Sequence, residues 1–157
     1  MAKIIIKDDE YFMRLALAQA KRAAALGETP VGAVIVCGGE VVSRGYNRRE
    51  TAKTALGHAE LTAISRACKK LGGWRLHQCT LYVSVEPCPM CAGACVNAHL
   101  GRIVYGAKNL RFGCFGTVCD FNEAPFNHKP EVLGGVLERE CSELMSSFFR
   151  QLREKRK

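Results

Sequence analysis

The chain has 157 residues, of which 48% are hydrophobic and 24% are charged, proportions that are typical of a globular domain. Its 23 basic and 15 acidic side chains give a formal net charge of +8, which favours a polyanionic partner such as nucleic acid. No segment approaches the length of a membrane span and the first residues lack a signal-peptide core, so we expect a cytoplasmic protein with one domain over residues 1–157.

The nine cysteines do not indicate a disulfide framework, because their number is odd, no secretory signal accompanies them and cytosolic thiols stay reduced. Five of them lie in apolar or helical surroundings, where cysteine packs as a small hydrophobic residue. These five are Cys37, Cys68, Cys79, Cys95 and Cys141. Cys114 and Cys119 lie in a segment typical of a loop, where no residue pattern supports a metal or redox role.

The first part of the chain predicts a helix followed by a hairpin. Apolar residues at helical spacing follow Asp8 and Asp9, either of which can cap a helix that ends near residue 26. Residues 31–37 predict a strand, and residues 41–46 predict its antiparallel partner across a glycine-rich turn.

Helices and strands then alternate. We expect a helix at about 59–71, a strand at 80–85, a helix that opens at Pro87 or Cys88 and ends near residue 98, and a strand at 102–107.

The last part predicts a long loop over residues 109–129 and a basic C-terminal helix from about 138 to 153. Residues 132–137 either supply a fifth strand or lead directly into that helix. A hairpin followed by alternating helices and strands predicts the α/β class, a three-layer α/β/α sandwich around a mixed five-stranded sheet.

Two short segments supply the ligands of a tetrahedral zinc ion. His58 offers an imidazole, and Cys88 and Cys91 offer two thiols on one face of a predicted first helical turn. Three protein ligands leave the fourth position open for water, and the positive end of a helix dipole favours the thiolate form. Glu60 lies about 200° around a regular helix from His58, so we predict that it carries protons and is not a ligand. This combination is suited to hydrolytic deamination.

Parts of this pattern also occur elsewhere. A Cys-x-x-Cys pair is common in structural zinc knuckles and redox proteins, and Cys91 and Cys95 could pair across one helical turn. The sequence contains no second Cys-x-x-Cys and no His-x-x-x-His to complete a closed four-ligand site. A catalytic zinc site is therefore favoured over a structural one.

The chain resembles a known family in residues 29–34, 45–48, 58–60, 81–94, 127–128 and 148–150. In these stretches it is similar to the bacterial tRNA-specific adenosine deaminases of the cytidine-deaminase-like superfamily. The metal motifs are those of the superfamily, whereas the hairpin and the C-terminal residues point to the tRNA branch.

This resemblance implies that His58, Cys88 and Cys91 hold one zinc ion per subunit, and that Glu60 moves the proton while adenine becomes hypoxanthine and ammonia leaves. It also implies that Val31 lines the base pocket and that the backbone at Ala59 donates to the new oxygen. Asn47 matches a position that contacts the target nucleotide; its alternative role is an Asx turn after the strand.

The C-terminal segment combines aromatic and basic side chains, among them Arg150 and Arg153. One phenylalanine can stack on a splayed anticodon base while the cations contact phosphates. Leu144, Phe148 and Phe149 also fit an amphipathic stripe that packs into the core, so we expect one phenylalanine to point inward and the basic end to bind RNA.

Two positions depart from the family pattern. Gly57 replaces a small side chain before the histidine, which leaves the geometry of that loop open. Asn109 stands where aspartate is common, and we predict that the loss of this charge beside an RNA backbone permits weak activity on single-stranded DNA.

Three functions are compatible with these residues. The first is the conversion of the wobble adenosine of an arginine tRNA to inosine; the family resemblance implies that a homodimer carries it out and that both subunits contact one anticodon stem-loop. The second is deamination of a free base or nucleoside such as guanine or cytosine, and the third is a non-catalytic zinc protein that binds RNA. The basic surplus and the Phe148-Phe149-Arg150 segment favour the first, because a small substrate needs neither.

Overall fold

The computed structural model describes residues 4–157, so the first three residues of the predicted domain and of its N-terminal segment lie outside the described part. The helices and strands, in chain order, are α1 (Asp9–Ala25), β1 (Gly32–Cys37), β2 (Glu40–Tyr46), α2 (Ala59–Leu71), β3 (Cys79–Val85), α3 (Pro89–Asn97), β4 (Arg102–Ala107), β5 (Glu131–Leu133) and α4 (Glu138–Lys155). Asp8 caps α1 by accepting a hydrogen bond from the Tyr11 N–H.

The strands form a mixed five-stranded sheet in the order β2-β1-β3-β4-β5. Strand β1 is antiparallel to β2 and β3, whereas β3, β4 and β5 run parallel to one another. The predicted segment 132–137 becomes a strand only in its first part. Gly135 adopts a φ of 88°, a left-handed conformation that ends the strand before α4 begins.

Helices cover both faces of the sheet, so the predicted three-layer α/β/α architecture is confirmed. Side chains alternate along β1: Val34 points to the layer of α1 and α4, and Ile35 points to the layer of α2 and α3. Gly45 lets α2 lie directly on β2, since a Cβ at this position would overlap the carbonyl oxygen of Ala59. The start of α2 is thereby fixed against the sheet.

The cysteines follow the expectation only in part. Cys79, Cys95 and Cys141 are buried, whereas Cys37 and Cys68 are only partly buried. Cys37 is the last residue of β1 and Cys68 lies in the last turn of α2, and both pack against the core from these partly buried positions. Among residues 4–157, no helix is both long and apolar enough to cross a membrane.

Candidate active site

The three predicted metal ligands meet where two helices begin. His58 is the N-cap of α2 and Cys88 is the N-cap of α3. The Nδ1 atom of His58 lies 3.7 Å from Cys88 Sγ and 3.5 Å from Cys91 Sγ, and all three ligand atoms lie within 4.8 Å of one another. This group could hold a metal ion.

The electrostatics of this group favour a thiolate. A hydrogen bond from Cys91, and a second from His58, lower the pKa of Cys88 to about 4. The hydrogen bond to Cys88 raises the pKa of His58, and the same thiolate raises the pKa of Cys91. The helix N-termini add positive potential at the same point. A metal ion bound here would displace the protons that His58 and Cys91 share with Cys88.

Glu60 lies in the first turn of α2 and is only 3% exposed. Its Oε1 atom has no hydrogen-bond partner, and burial raises the pKa of its carboxyl group. A buried carboxylate oxygen without a partner is costly to the fold, and such groups concentrate at functional sites. Glu60 lines the same cleft as His58 and Cys88, so all three are within reach of one small molecule.

This cleft has a volume of about 1180 Å³ and continues from Glu60 to the C-terminal helix. The predicted substrate-contacting residues that line it are Val31, Asn47, Ala59, Asn109, Phe149, Arg150 and Arg153. Cys91 is fully buried, and Phe148 is absent from the lining residues. Phe148 packs edge-on against Phe149, with ring centroids 5.5 Å apart. Adjacent helical side chains diverge by about 100°, so only one of the two faces the cleft.

The side chain of Asn47 already makes two hydrogen bonds within the protein. Its Nδ2 donates to the Thr29 carbonyl at 3.1 Å, and its Oδ1 accepts from the Arg49 N–H at 3.1 Å, which is the Asx turn considered above. An amide has four hydrogen-bonding positions, so one N–H and one lone pair are left for a ligand.

Asn109 organises the loop after β4. Its Oδ1 accepts from the N–H groups of Arg111 and Phe112 at 3.3 and 3.1 Å, and its Nδ2 donates to the Glu86 carbonyl at 3.4 Å. The other departure from the family pattern, Gly57, also has a local cause. A Cβ there would lie 3.0 Å from the backbone of Arg49, so glycine allows the two parts of this loop to pack closely.

Two further buried glutamates were not predicted: Glu86 lines the cleft, and Glu28 directly precedes the lining residue Thr29. Glu28 accepts from the N–H groups of Glu50 and Thr51 and from the Thr51 hydroxyl, at 2.7 to 3.0 Å. Burial by itself raises the pKa of Glu28, but these donors bring the pKa below its ordinary value. Glu86 accepts from the N–H groups of Asn109, Phe115 and Thr117, and from the Thr117 hydroxyl.

We call these two glutamates the wall glutamates, because each holds a loop that borders the cleft. Both are only 1% exposed. One sequence feature could have identified them as buried, namely an acidic residue next to an apolar strand. Glu86 directly follows β3, and Glu28 lies shortly before β1. Nothing nearby in the sequence identifies the donors that satisfy them.

Comparison with known proteins also indicates a deaminase. The family model of the MafB19-like deaminases matches residues 7–153. A tRNA-specific adenosine deaminase of Bacillus subtilis is 49% identical over 150 residues, which cover 95% of this chain and 93% of the relative.

Among solved structures, the fold is similar to one from a study of A-to-I editing by tRNA:A34 deaminases at the wobble position of transfer RNA. The TM-score is 0.83 at 39% identity, over 85% of this chain and 98% of the other. A guanine deaminase from Nitrosomonas europaea shares the fold with a TM-score of 0.80, over 92% of this chain and 86% of the other, but its identity is only 23%.

Proposed function

The chain belongs to the MafB19-like deaminases and to the tRNA-specific adenosine deaminases, and we propose that it converts the wobble adenosine of a tRNA to inosine. An arginine tRNA is the proposed substrate. The observation that carries this proposal is the continuity of one cleft from Glu60 to Phe149, Arg150 and Arg153. A free base needs only the inner end of such a cleft, whereas an RNA loop also uses the aromatic and basic outer end.

We propose zinc as the cofactor, one ion per subunit, bound by His58, Cys88 and Cys91. Zinc bonds of about 2.0 Å to nitrogen and about 2.3 Å to sulfur at tetrahedral angles separate the two atoms by about 3.5 Å. The distances of 3.5 and 3.7 Å from His58 Nδ1 to the two sulfurs agree with that value. Bound zinc supplies Lewis-acid activation of water.

Glu60 moves the proton in this proposal. Its buried carboxylate has a free Oε1 and a raised pKa, so it can accept a proton from the attacking water and release it to the departing amine. The water oxygen becomes the C6 oxygen of hypoxanthine, and the amino group leaves as ammonia. The N–H groups at the start of α2, including that of Ala59, have no intrahelical acceptor and can donate to the new oxygen.

Further parts of the proposal concern the assembly. We propose a homodimer that binds one RNA, a cytoplasmic location, and a single domain over residues 1–157. A shallow depression of about 420 Å³ on α3, lined by Met90, Val96, Phe121 and Phe126 among others, is a suitable surface for the second copy. Sedimentation of the purified protein at micromolar concentration tests the dimer, and a monomer there would exclude it.

Activity on different substrates tests the proposed function. The metal-loaded protein is incubated with an anticodon stem-loop that carries adenosine at the wobble position, and separately with adenosine, cytidine and guanine. We expect inosine in the RNA and no turnover of the small molecules. Turnover of a free base alone would overturn the proposal, and the stem-loops of other tRNAs test the choice of arginine tRNA.

The C-terminal segment and Asn109 are tested separately. Truncation after Phe149 removes Arg150 and Arg153, so we expect a large loss of tRNA binding while the circular dichroism spectrum stays native. Unchanged binding would exclude a role for the C-terminal segment.

For Asn109, we expect weak deamination of single-stranded DNA. An Asn109→Asp variant with the same ratio of DNA to RNA activity would refute that role.

A further inference from the structure

Two large apolar side chains project into solvent at the mouth of the cleft. Leu110 is 80% exposed and Phe112 is 60% exposed, and both line the cleft that contains Glu60. They follow β4, whereas the exposed aromatic Phe149 at the same cleft belongs to α4. The apolar surface of an exposed phenylalanine at a cleft is buried only when a ligand covers the ring.

The backbone holds Phe112 in this exposed position. Its N–H donates to Asn109 Oδ1 at 3.1 Å, and its carbonyl accepts from Cys114 Sγ at 3.2 Å. Asn109 is in turn bound to the buried Glu86 through its backbone N–H and its side-chain amide. A Cβ at Gly113 would lie 2.6 Å from the Glu86 carboxylate, so glycine is required for the loop to close around it. The loop is therefore preorganised, which lowers the entropic cost of binding a ligand there.

The charges around Phe112 indicate which kind of ligand covers it. Lys108, Arg111, Arg150 and Arg153 line the same cleft. Within residues 4–157, none of these four side chains forms an ion pair. An aromatic ring among unpaired cations matches an unpaired base flanked by phosphates. A protein partner with an apolar face would leave those cations desolvated without a counter-charge.

We propose that Phe112 is a stacking platform for an unpaired RNA base next to the target nucleotide, supplied by a different element from Phe149. This inference rests on the proposed function and extends it to the recognition of the flanking nucleotide. Stacking on a ring accepts any base, so Phe112 contributes affinity for the loop and does not select its sequence. Because Phe112 does not touch the reacting atoms, its contribution belongs in KM and not in kcat.

The kinetic test compares four proteins on the anticodon stem-loop: wild type, Phe112→Ala, Phe112→Tyr and Trp74→Ala. We expect Phe112→Ala to raise KM by about 5- to 150-fold, the range for loss of one base–aromatic stack, with kcat almost unchanged. Phe112→Tyr keeps the ring and retains the wild-type KM. Trp74 is also an exposed aromatic, 54% exposed, but does not line the cleft, so Trp74→Ala is the matched control with no expected change.

A binding test detects the stack directly and does not depend on turnover. Each protein carries Glu60→Gln, and 2-aminopurine replaces the base on the 5′ or the 3′ side of the target. Quenching of its fluorescence on binding is expected with Phe112 and Phe112→Tyr and should be lost with Phe112→Ala. Thermal melts by circular dichroism establish that each variant is folded.

The outcomes are distinguishable. If wild type edits the RNA but Phe112→Ala has the same KM and the same quenching, the stacking role is overturned. If Phe112→Ala changes the sedimentation coefficient of the free protein, Phe112 lies in a protein interface and the proposal is also overturned. If wild type makes no inosine in RNA, the proposed function fails, and the quenching experiment still decides whether Phe112 stacks on a base.

Discussion

Three glutamates are almost fully buried around the cleft, but their carboxylates have different surroundings. Glu28 and Glu86, the wall glutamates, each accept at least three hydrogen bonds from loop N–H and hydroxyl groups. Glu60, at the inner end of the cleft, has a free Oε1 and a raised pKa. Equal burial therefore accompanies two different hydrogen-bonding environments.

Hydrogen bonding distinguishes a structural from a chemical role for a buried carboxylate. A buried acceptor that is fully satisfied stabilises the fold and fixes the backbone around it. A buried acceptor that is left free destabilises the fold and is available to a substrate or a water molecule. Substitutions at the inner end should therefore change catalysis, and substitutions at the walls should change stability and substrate affinity.

The largest effect is expected for loss of the metal site at the inner end. Cys91→Ser should reduce the zinc content from about one ion per chain to a small fraction, and RNA deamination should fall to background. Chelation of the wild type should have the same effect, and added Zn²⁺ should restore it. Metal analysis together with the stem-loop assay measures both. Full activity of a metal-free protein would contradict the assignment.

Glu60→Gln should lower kcat by about 10²- to 10⁴-fold, the usual contribution of a positioned acid–base group. The free energy of unfolding of the metal-free variant should equal or exceed that of the wild type, because a neutral amide replaces a buried carboxylate without a partner at Oε1. Urea unfolding and single-turnover kinetics measure the two quantities. A clear loss of stability with little loss of kcat would show that Glu60 resembles the wall glutamates.

Glu86→Gln should show the opposite pattern. One carboxylate oxygen becomes an NH2 group that faces backbone donors, which should lower the free energy of unfolding by about 1–3 kcal/mol. The loop with Asn109 and Phe112 should lose its fixed geometry, so KM for RNA should rise more than kcat falls. Thr117→Val, which removes only the hydroxyl donor, is the milder control at about 1 kcal/mol. Wild-type stability of both variants would refute the wall role.

The smallest effect is expected from the pH dependence of Glu28. Its pKa lies below the ordinary value of 4.5 in the folded protein, so its contribution to stability is fully present above about pH 4.5. That contribution should disappear as the pH falls through the lowered folded pKa. Glu28→Gln should therefore be less stable than wild type at neutral pH, with a difference that narrows in acid. A pH-independent difference in urea unfolding would show that the carboxylate charge is not involved.

Several features of the fold and the site could be predicted because their causes are local. Hydrophobic periodicity, the Asp8 cap and the two glycines of the hairpin act over a few residues, so most predicted elements agree closely with the observed ones. The His58-x-Glu60 and Cys88-x-x-Cys91 spacings likewise define side chains within single helical turns. For residues 132–137 the sequence left two alternatives, a fifth strand or a direct lead into the last helix; the observed strand is Glu131–Leu133, and the backbone conformation of Gly135 beyond it could not be read from the pattern.

The sequence by itself therefore determined the element order, the fold class and the chemical types of the candidate metal ligands. Only the tertiary structure decided which phenylalanine faces the cleft and which buried glutamate is free. The donors to Glu28 lie 22 and 23 positions along the chain, and those to Glu86 lie 23 to 31 positions away. Such partners have no local signature, because the polarity of a buried side chain is balanced only by groups that the completed fold brings to it.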